Sequence, residues 1–133
     1  MNGLCLRGGH DGGVTEVGFK GVDGLRLAGD RFVPDGAAGG VPVVFLHGGG
    51  QTRHSWGGTA RQVAARGMTA YTLDARGHGD SDWAPGGDYR LTLFAGDVEA
   101  VIGEFGERPV LVGASLGGLT SILLTGELAP GVA

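Results

Sequence analysis

The chain has 133 residues, of which 41% are hydrophobic and 18% charged. That is enough apolar material for one packed domain and too much for a disordered segment. A net charge of −4 argues against a nucleic-acid partner, a single cysteine (Cys5) excludes an internal disulfide, and no apolar run approaches the ~18 residues of a membrane span.

Residues 1–13 hold five glycines and no periodic pattern, so they are expected to form a flexible tail. They carry no apolar stretch of signal-peptide length, from which a cytoplasmic location is expected. Two short strands follow at 15–20 and 25–33. Asp23-Gly24 between them is a strong hairpin signal, because both central positions of a type I′ turn need positive φ. Residues 34–40 form a loop. The run Val41-Pro42-Val43-Val44-Phe45-Leu46 is continuously apolar, as in a strand buried on both faces.

Trp56, Ala60, Val63 and Ala64 then fall at helical spacing, with Gly67 as a stop. Residues 68–73 form the next strand, which feeds a turn-rich loop at 74–82. Phe94, Val98, Val101, Ile102 and Phe105 form one stripe of an amphipathic helix, with Thr92 as its N-cap. A third buried strand spans 109–113. Leu119, Ile122 and Leu123 are expected to supply the apolar face of a last helix, stopped near Pro130-Gly131. The order is a hairpin followed by β-α-β-α-β-α, which predicts an α/β fold with a mostly parallel sheet.

Gly113-Ala114-Ser115-Leu116-Gly117 reads as G-x-S-x-G, a nucleophile elbow. A serine hydroxyl needs exposure, a base and donors for the oxyanion it generates. The sharp strand-to-helix turn exposes Ser115, and glycine at 113 and 117 relieves crowding across the turn. In a glycine-rich chain the bare pattern is weak, and a serine N-cap in a glycine-packed turn would produce it too. Its context is more specific, since the motif closes a buried strand and opens a helix. His47-Gly48-Gly49-Gly50 follows an earlier strand, where a loop can complete an oxyanion hole. The donors are then the N–H groups of Leu116 and Gly49, with Gly50 as an alternative to the latter. Gly48 supports the loop and His47 holds it through backbone hydrogen bonds. The loop lacks the Lys-Ser/Thr ending of a phosphate-binding P-loop, and no cofactor or metal site is indicated.

These residues resemble the α/β-hydrolase fold family over roughly residues 15–133. Val43-Val44-Phe45-Leu46-His47-Gly48 is similar to its third strand and oxyanion loop. Asp74-Ala75-Arg76-Gly77-His78-Gly79-Asp80-Ser81 is similar to the D-x-R-G-x-G-x-S loop after its fourth strand, and Gly113 to Gly118 match its elbow. The resemblance is greatest to the esterase, C–C hydrolase and non-haem peroxidase-like group. It implies a serine hydrolase acting on a small ester or related carbonyl substrate. It also implies a triad acid and histidine after later strands, which residues 116–133 do not contain. Residues 14–133 are therefore expected to form the N-terminal part of such a domain, inactive by itself. His47 and His54 are the candidates for a substitute base, while Asp74, Asp80 and Asp82 are expected to shape their loop. The strand carrying Ser115 should form an open edge, suited to self-association or to a partner chain. The alternative reading is a non-catalytic module, or half of a split enzyme.

Overall fold

The computed structural model describes residues 13–128. Of the tail expected at 1–13, residues 1–12, with Cys5 and His10, lie outside the described residues, as does the stop at Pro130-Gly131. Gly13 is tied down, its carbonyl accepting from the Val33 N–H at 3.1 Å. Strands β1 (Val14–Lys20) and β2 (Arg26–Phe32) pair antiparallel, with Lys20 opposite Arg26. In the turn between them Asp23 and Gly24 adopt φ of 56° and 78°, and the Leu25 N–H donates to the Val22 carbonyl at 3.2 Å. This is the left-handed pair that the dipeptide predicts.

The remaining elements are β3 (Val43–Leu46), α1 (Gly57–Ala65), β4 (Ala70–Leu73), α2 (Leu91–Ile102), β5 (Val110–Gly113) and α3 (Leu116–Leu123). A 3-10 turn, Arg53–Trp56, precedes α1, and a π-helical turn, Leu124–Leu128, prolongs α3. The sheet order is β1-β2-β4-β3-β5. β3 runs parallel to β4 and β5, whereas β2 pairs antiparallel with both β1 and β4. Among the described residues β1, β3, β4 and β5 therefore run in one direction and β2 alone runs against them, so the sheet is mostly parallel, as expected, with one antiparallel strand supplied by the hairpin.

The four residues of β3 are all buried and alternate between two cores. Val43 and Phe45 pack with Phe32, Ala60, Ala64 and Ala70 beneath α1. Val44 and Leu46 join Leu27, Leu73, Ala95, Val98 and Val101 beneath α2. A strand covered on both faces has no polar side, which explains its continuous apolar run.

Several boundaries differ from expectation. β3 starts at Val43, two residues late, since Pro42 has no N–H to donate to a ladder; its carbonyl still accepts from the Val110 N–H. β4 starts at Ala70 because the Met68 N–H turns back to the Val63 carbonyl at the end of α1. The residue capping α2 is Arg90, in extended conformation, so Thr92 lies inside the first turn and is not the cap. Phe105 lies beyond the helix but packs its ring against Phe19 and Tyr71.

The largest difference is the orientation of α3. Leu119 and Ile122 are 55% and 69% exposed, while Gly117, Thr120 and Leu124 face inward. The close approach of Gly117 to β3 sets which side of the helix is inside. Among the described residues β5 pairs with β3 alone, and Val110 on it is 49% exposed. No helix among them is long and apolar enough to cross a membrane.

Candidate active site

The three parallel strands end at one rim, and the loops that follow them carry the predicted residues. β5 enters a turn at Ala114-Ser115, and α3 starts at once. Ser115 adopts φ 53°, ψ −112°, outside the regions that L residues favour. Such strain costs about 1–3 kcal/mol and persists only where the surroundings impose it. Here they do. A Cβ at Gly113 would strike the Gly117 carbonyl group, and one at Gly117 would strike the Leu46 carbonyl oxygen. The turn therefore closes against backbone on both sides of Ser115.

The loop after β3 lies against this turn. A side-chain carbon at Gly48 would sit 3.5 Å from Ser115 Cβ, and one at Gly49 would sit 4.0 Å from a Leu116 methyl group. The Gly48 N–H donates to Gln51 Oε1 at 3.0 Å, and the Gly50 N–H donates to His78 Nε2 at 3.1 Å. Gly50 is thereby withdrawn as an oxyanion donor. Among the described residues the N–H groups of Gly49 and Leu116 have no acceptor. Leu116 is also the first residue of α3, at the positive end of the helix dipole.

His47 is buried, with 2% of its surface exposed. Its Nδ1–H donates to the Gly48 carbonyl at 2.8 Å, and Nε2 accepts from the Ala75 N–H at 3.0 Å. Because a carbonyl can only accept, Nδ1 carries the proton. Both ring nitrogens are thus committed to backbone, and neither serves Ser115 as a base. His54, the other candidate, is exposed on the 3-10 turn.

Burial lowers the His47 pKa below its ordinary 6.5, with the Gly48 hydrogen bond opposing. The folded state then binds fewer protons than the unfolded chain over the window below about pH 6.5. This contribution to stability is complete above that pH and is lost as pH falls toward the folded pKa. Melting temperature is therefore expected to decline on acidification from about pH 7 to about pH 5. His47→Leu should melt lower throughout and lose part of that slope. An unchanged slope in the variant would show that His47 does not contribute.

The loop at 74–82 is held by two buried arginines. Arg53, 4% exposed, donates through Nη1 to Asp74 and to Asp80 (2.8 Å), and its N–H donates to Asp74 Oδ1 at 2.7 Å. Its Nε lies 3.1 Å from Asp30 Oδ2 without the alignment of a hydrogen bond. Burial would lower the Arg53 pKa, but Asp80, Asp30 and Asp74 outweigh it and raise it. Arg53 in turn holds the Asp80 carboxyl below its ordinary value.

Arg76 makes a bidentate pair with Asp97 of α2 at 2.6 and 2.8 Å. Asp82 Oδ2 accepts from the Arg26 N–H, and Ser81 Oγ bridges the Asp74 carbonyl and the Ala28 N–H. Sequence reasoning anticipated loop-shaping carboxylates but not Arg53, Gln51, or the pairing of Arg76 with Asp97. Beneath the site a cavity of about 30 Å³ touches His47, Asp74, Leu116, Gly117 and Thr120. It has room for roughly one or two waters.

The structure thus brings His47, Gly48, Gly49, Gly113, Ser115, Leu116 and Gly117 together. Residues 43–133 match the sequence profile of the alpha/beta hydrolase family. An esterase of Mycobacterium tuberculosis is 40% identical over 83 residues, which cover 62% of this chain and 27% of the esterase. A monoacylglycerol lipase of Mycolicibacterium smegmatis is 33% identical over 109 residues, covering 78% of this chain and 39% of the lipase. The crystal structure of an alpha/beta hydrolase from Novosphingobium aromaticivorans superposes with a TM-score of 0.73 at 31% identity, over 84% of this chain and 39% of that one. The chain therefore spans well under half the length of these relatives.

Proposed function

The chain belongs to the alpha/beta hydrolase family, and from that premise we propose that Ser115 is the nucleophile of a serine hydrolase acting on a small ester or related carbonyl compound. The observation that carries this reading is the strained backbone of Ser115 at the mouth of α3, next to two N–H groups without acceptors. In the proposed reaction Ser115 Oγ attacks the carbonyl carbon, and the N–H groups of Gly49 and Leu116 receive the developing oxyanion. The names of the relatives, an esterase and a monoacylglycerol lipase, support an ester as the substrate.

The proton from Ser115 needs an acceptor. His47 and His78 each engage both ring nitrogens elsewhere. In this reading the base comes from outside residues 13–128, and those residues alone turn substrate over near the background that an oxyanion site sustains without a base.

A fluorophosphonate probe tests the assignment, because its phosphorus reacts with an activated serine and the adduct resembles the oxyanion-bearing intermediate. Intact mass and peptide mapping should show a single slow adduct on Ser115, absent from Ser115→Ala. Faster labelling when a second polypeptide is added would favour a split enzyme. An adduct on another serine, or none at Ser115 in any form of the protein, would overturn the proposal.

A further inference from the structure

We infer that His78 is a positioning residue for the oxyanion site: its neutral ring holds the Gly50 amide, so the Gly49 donor is ordered only while His78 is uncharged. The inference rests on the reading of Gly49 as an oxyanion donor.

The tautomer follows from the partners. His78 Nδ1 lies 2.9 Å from the Arg76 carbonyl, which can only accept, so Nδ1 carries the hydrogen. Nε2 then keeps a lone pair, and the Gly50 N–H donates to it at 3.1 Å. The support is anchored in the fold, because the Arg76 side chain is clamped to Asp97 on α2. The contact with His47 makes the bracing reciprocal. His47 reaches from the loop after β3 to the Ala75 N–H, while His78 reaches back from the loop after β4 to Gly50. Gly49 sits between two tethered neighbours, Gly48 through Gln51 and Gly50 through His78.

The surroundings decide what a second proton would do. His78 is faced by the ring of His47 at 5.0 Å from the loop after β3, and by the ring of Phe94 at 6.4 Å from α2. It is also faced by the Arg76 carbonyl and the Gly50 amide. No carboxylate among the described residues is hydrogen-bonded to it. Protonated His78 would point an N–H at the Gly50 N–H and place its charge beside His47. The Gly50 bond cannot survive two facing donors, and the peptide that orients Gly49 is released.

The test uses the uniformly 15N-labelled chain. Long-range 1H–15N spectra should show neutral His78 as the Nδ1–H tautomer. The Gly49 and Gly50 amide shifts should follow the His78 titration with the same midpoint, and Gly50 exchange should accelerate about ten-fold or more across it. His78→Gln, whose Oε1 can accept, should restore protection of Gly50 and remove its pH dependence. His78→Leu should lose protection at every pH. An Nε2–H tautomer, or a Gly50 amide indifferent to the His78 titration, would overturn the inference. The same response must appear in Ser115→Ala. Failure of Ser115 labelling with this response intact would sink the proposed function and not the clamp.

Discussion

Gly117→Ala is expected to remove most of the stability of the fold, while Gly118→Ala, one residue on, leaves it intact or slightly raised. A Cβ at Gly117 would lie against the Leu46 carbonyl oxygen, 2.6 Å from the carbonyl carbon and 2.8 Å from Leu46 Cβ. These atoms belong to β3, which is hydrogen-bonded to β4 and β5 on its two sides, and cannot swing aside as the end of a side chain would. The Leu46 carbonyl also accepts from the Ala114 N–H at 3.2 Å and from Trp56 Nε1 at 3.1 Å. Moving it disturbs both the elbow and the packing of Trp56. Ordinary overpacking costs about 1–3 kcal/mol; against fixed backbone the cost should lie at or above the top of that range. A Cβ at Gly118 meets nothing closer than 3.4 Å. There alanine gains helix propensity of up to about 1 kcal/mol. Urea denaturation of the two variants decides the matter. Equal midpoints would mean that the elbow is not clamped by the contact of α3 with β3.

That contrast also marks how far the sequence could be read. The run at Val43 to Leu46 disclosed a two-faced strand because no residue in it is polar, and the order of elements follows from it. The elbow was legible because Gly113, Ser115 and Gly117 fall within five residues and Gly113 is constrained by Gly117 itself, although the contact of Gly117 with Leu46 is long-range and could not be read. Which side of α3 faces inward was not legible. Periodicity finds a stripe in Leu119, Ile122 and Leu123; Leu123 does pack against the core, but Leu119 and Ile122 are exposed and full burial went to Gly117, Thr120 and Leu124. A close backbone approach selects small residues, and a hydrophobicity count passes over them. The loop at 74–82 shows a similar limit. Its carboxylates were visible in the sequence, but the cation that organises them sits 21 residues before Asp74 and 27 before Asp80, in a polar stretch without periodicity. The Gly50 donor was likewise misassigned as an option, because its acceptor, His78, is 28 positions away.

Arg53→Met is therefore expected to be among the most damaging changes away from the elbow, although Arg53 touches none of the proposed reacting atoms. Methionine preserves much of the buried volume but leaves the Asp74 carboxylate, whose side chain has no exposed surface, without its cation. Removing one partner of a buried pair costs about 3–5 kcal/mol, chiefly through the charge left behind. Asp74 would keep the N–H groups of Arg53 and Asp80 as donors, but not a countercharge. Arg53→Lys should rescue little, since one ammonium cannot reproduce a fork that spans Asp74, Asp80 and Asp30. Asp80→Asn should have a small effect, because that side chain is 66% exposed. The double variant Arg53→Met/Asp74→Asn separates the causes. If unpaired charge dominates, the double variant is more stable than Arg53→Met alone, and the two changes are strongly non-additive in a mutant cycle. If the double variant is destabilised by the sum of the singles, lost packing explains the effect. The ion cluster would then play no part in anchoring the loop that presents Ala75 to His47 and His78 to Gly50.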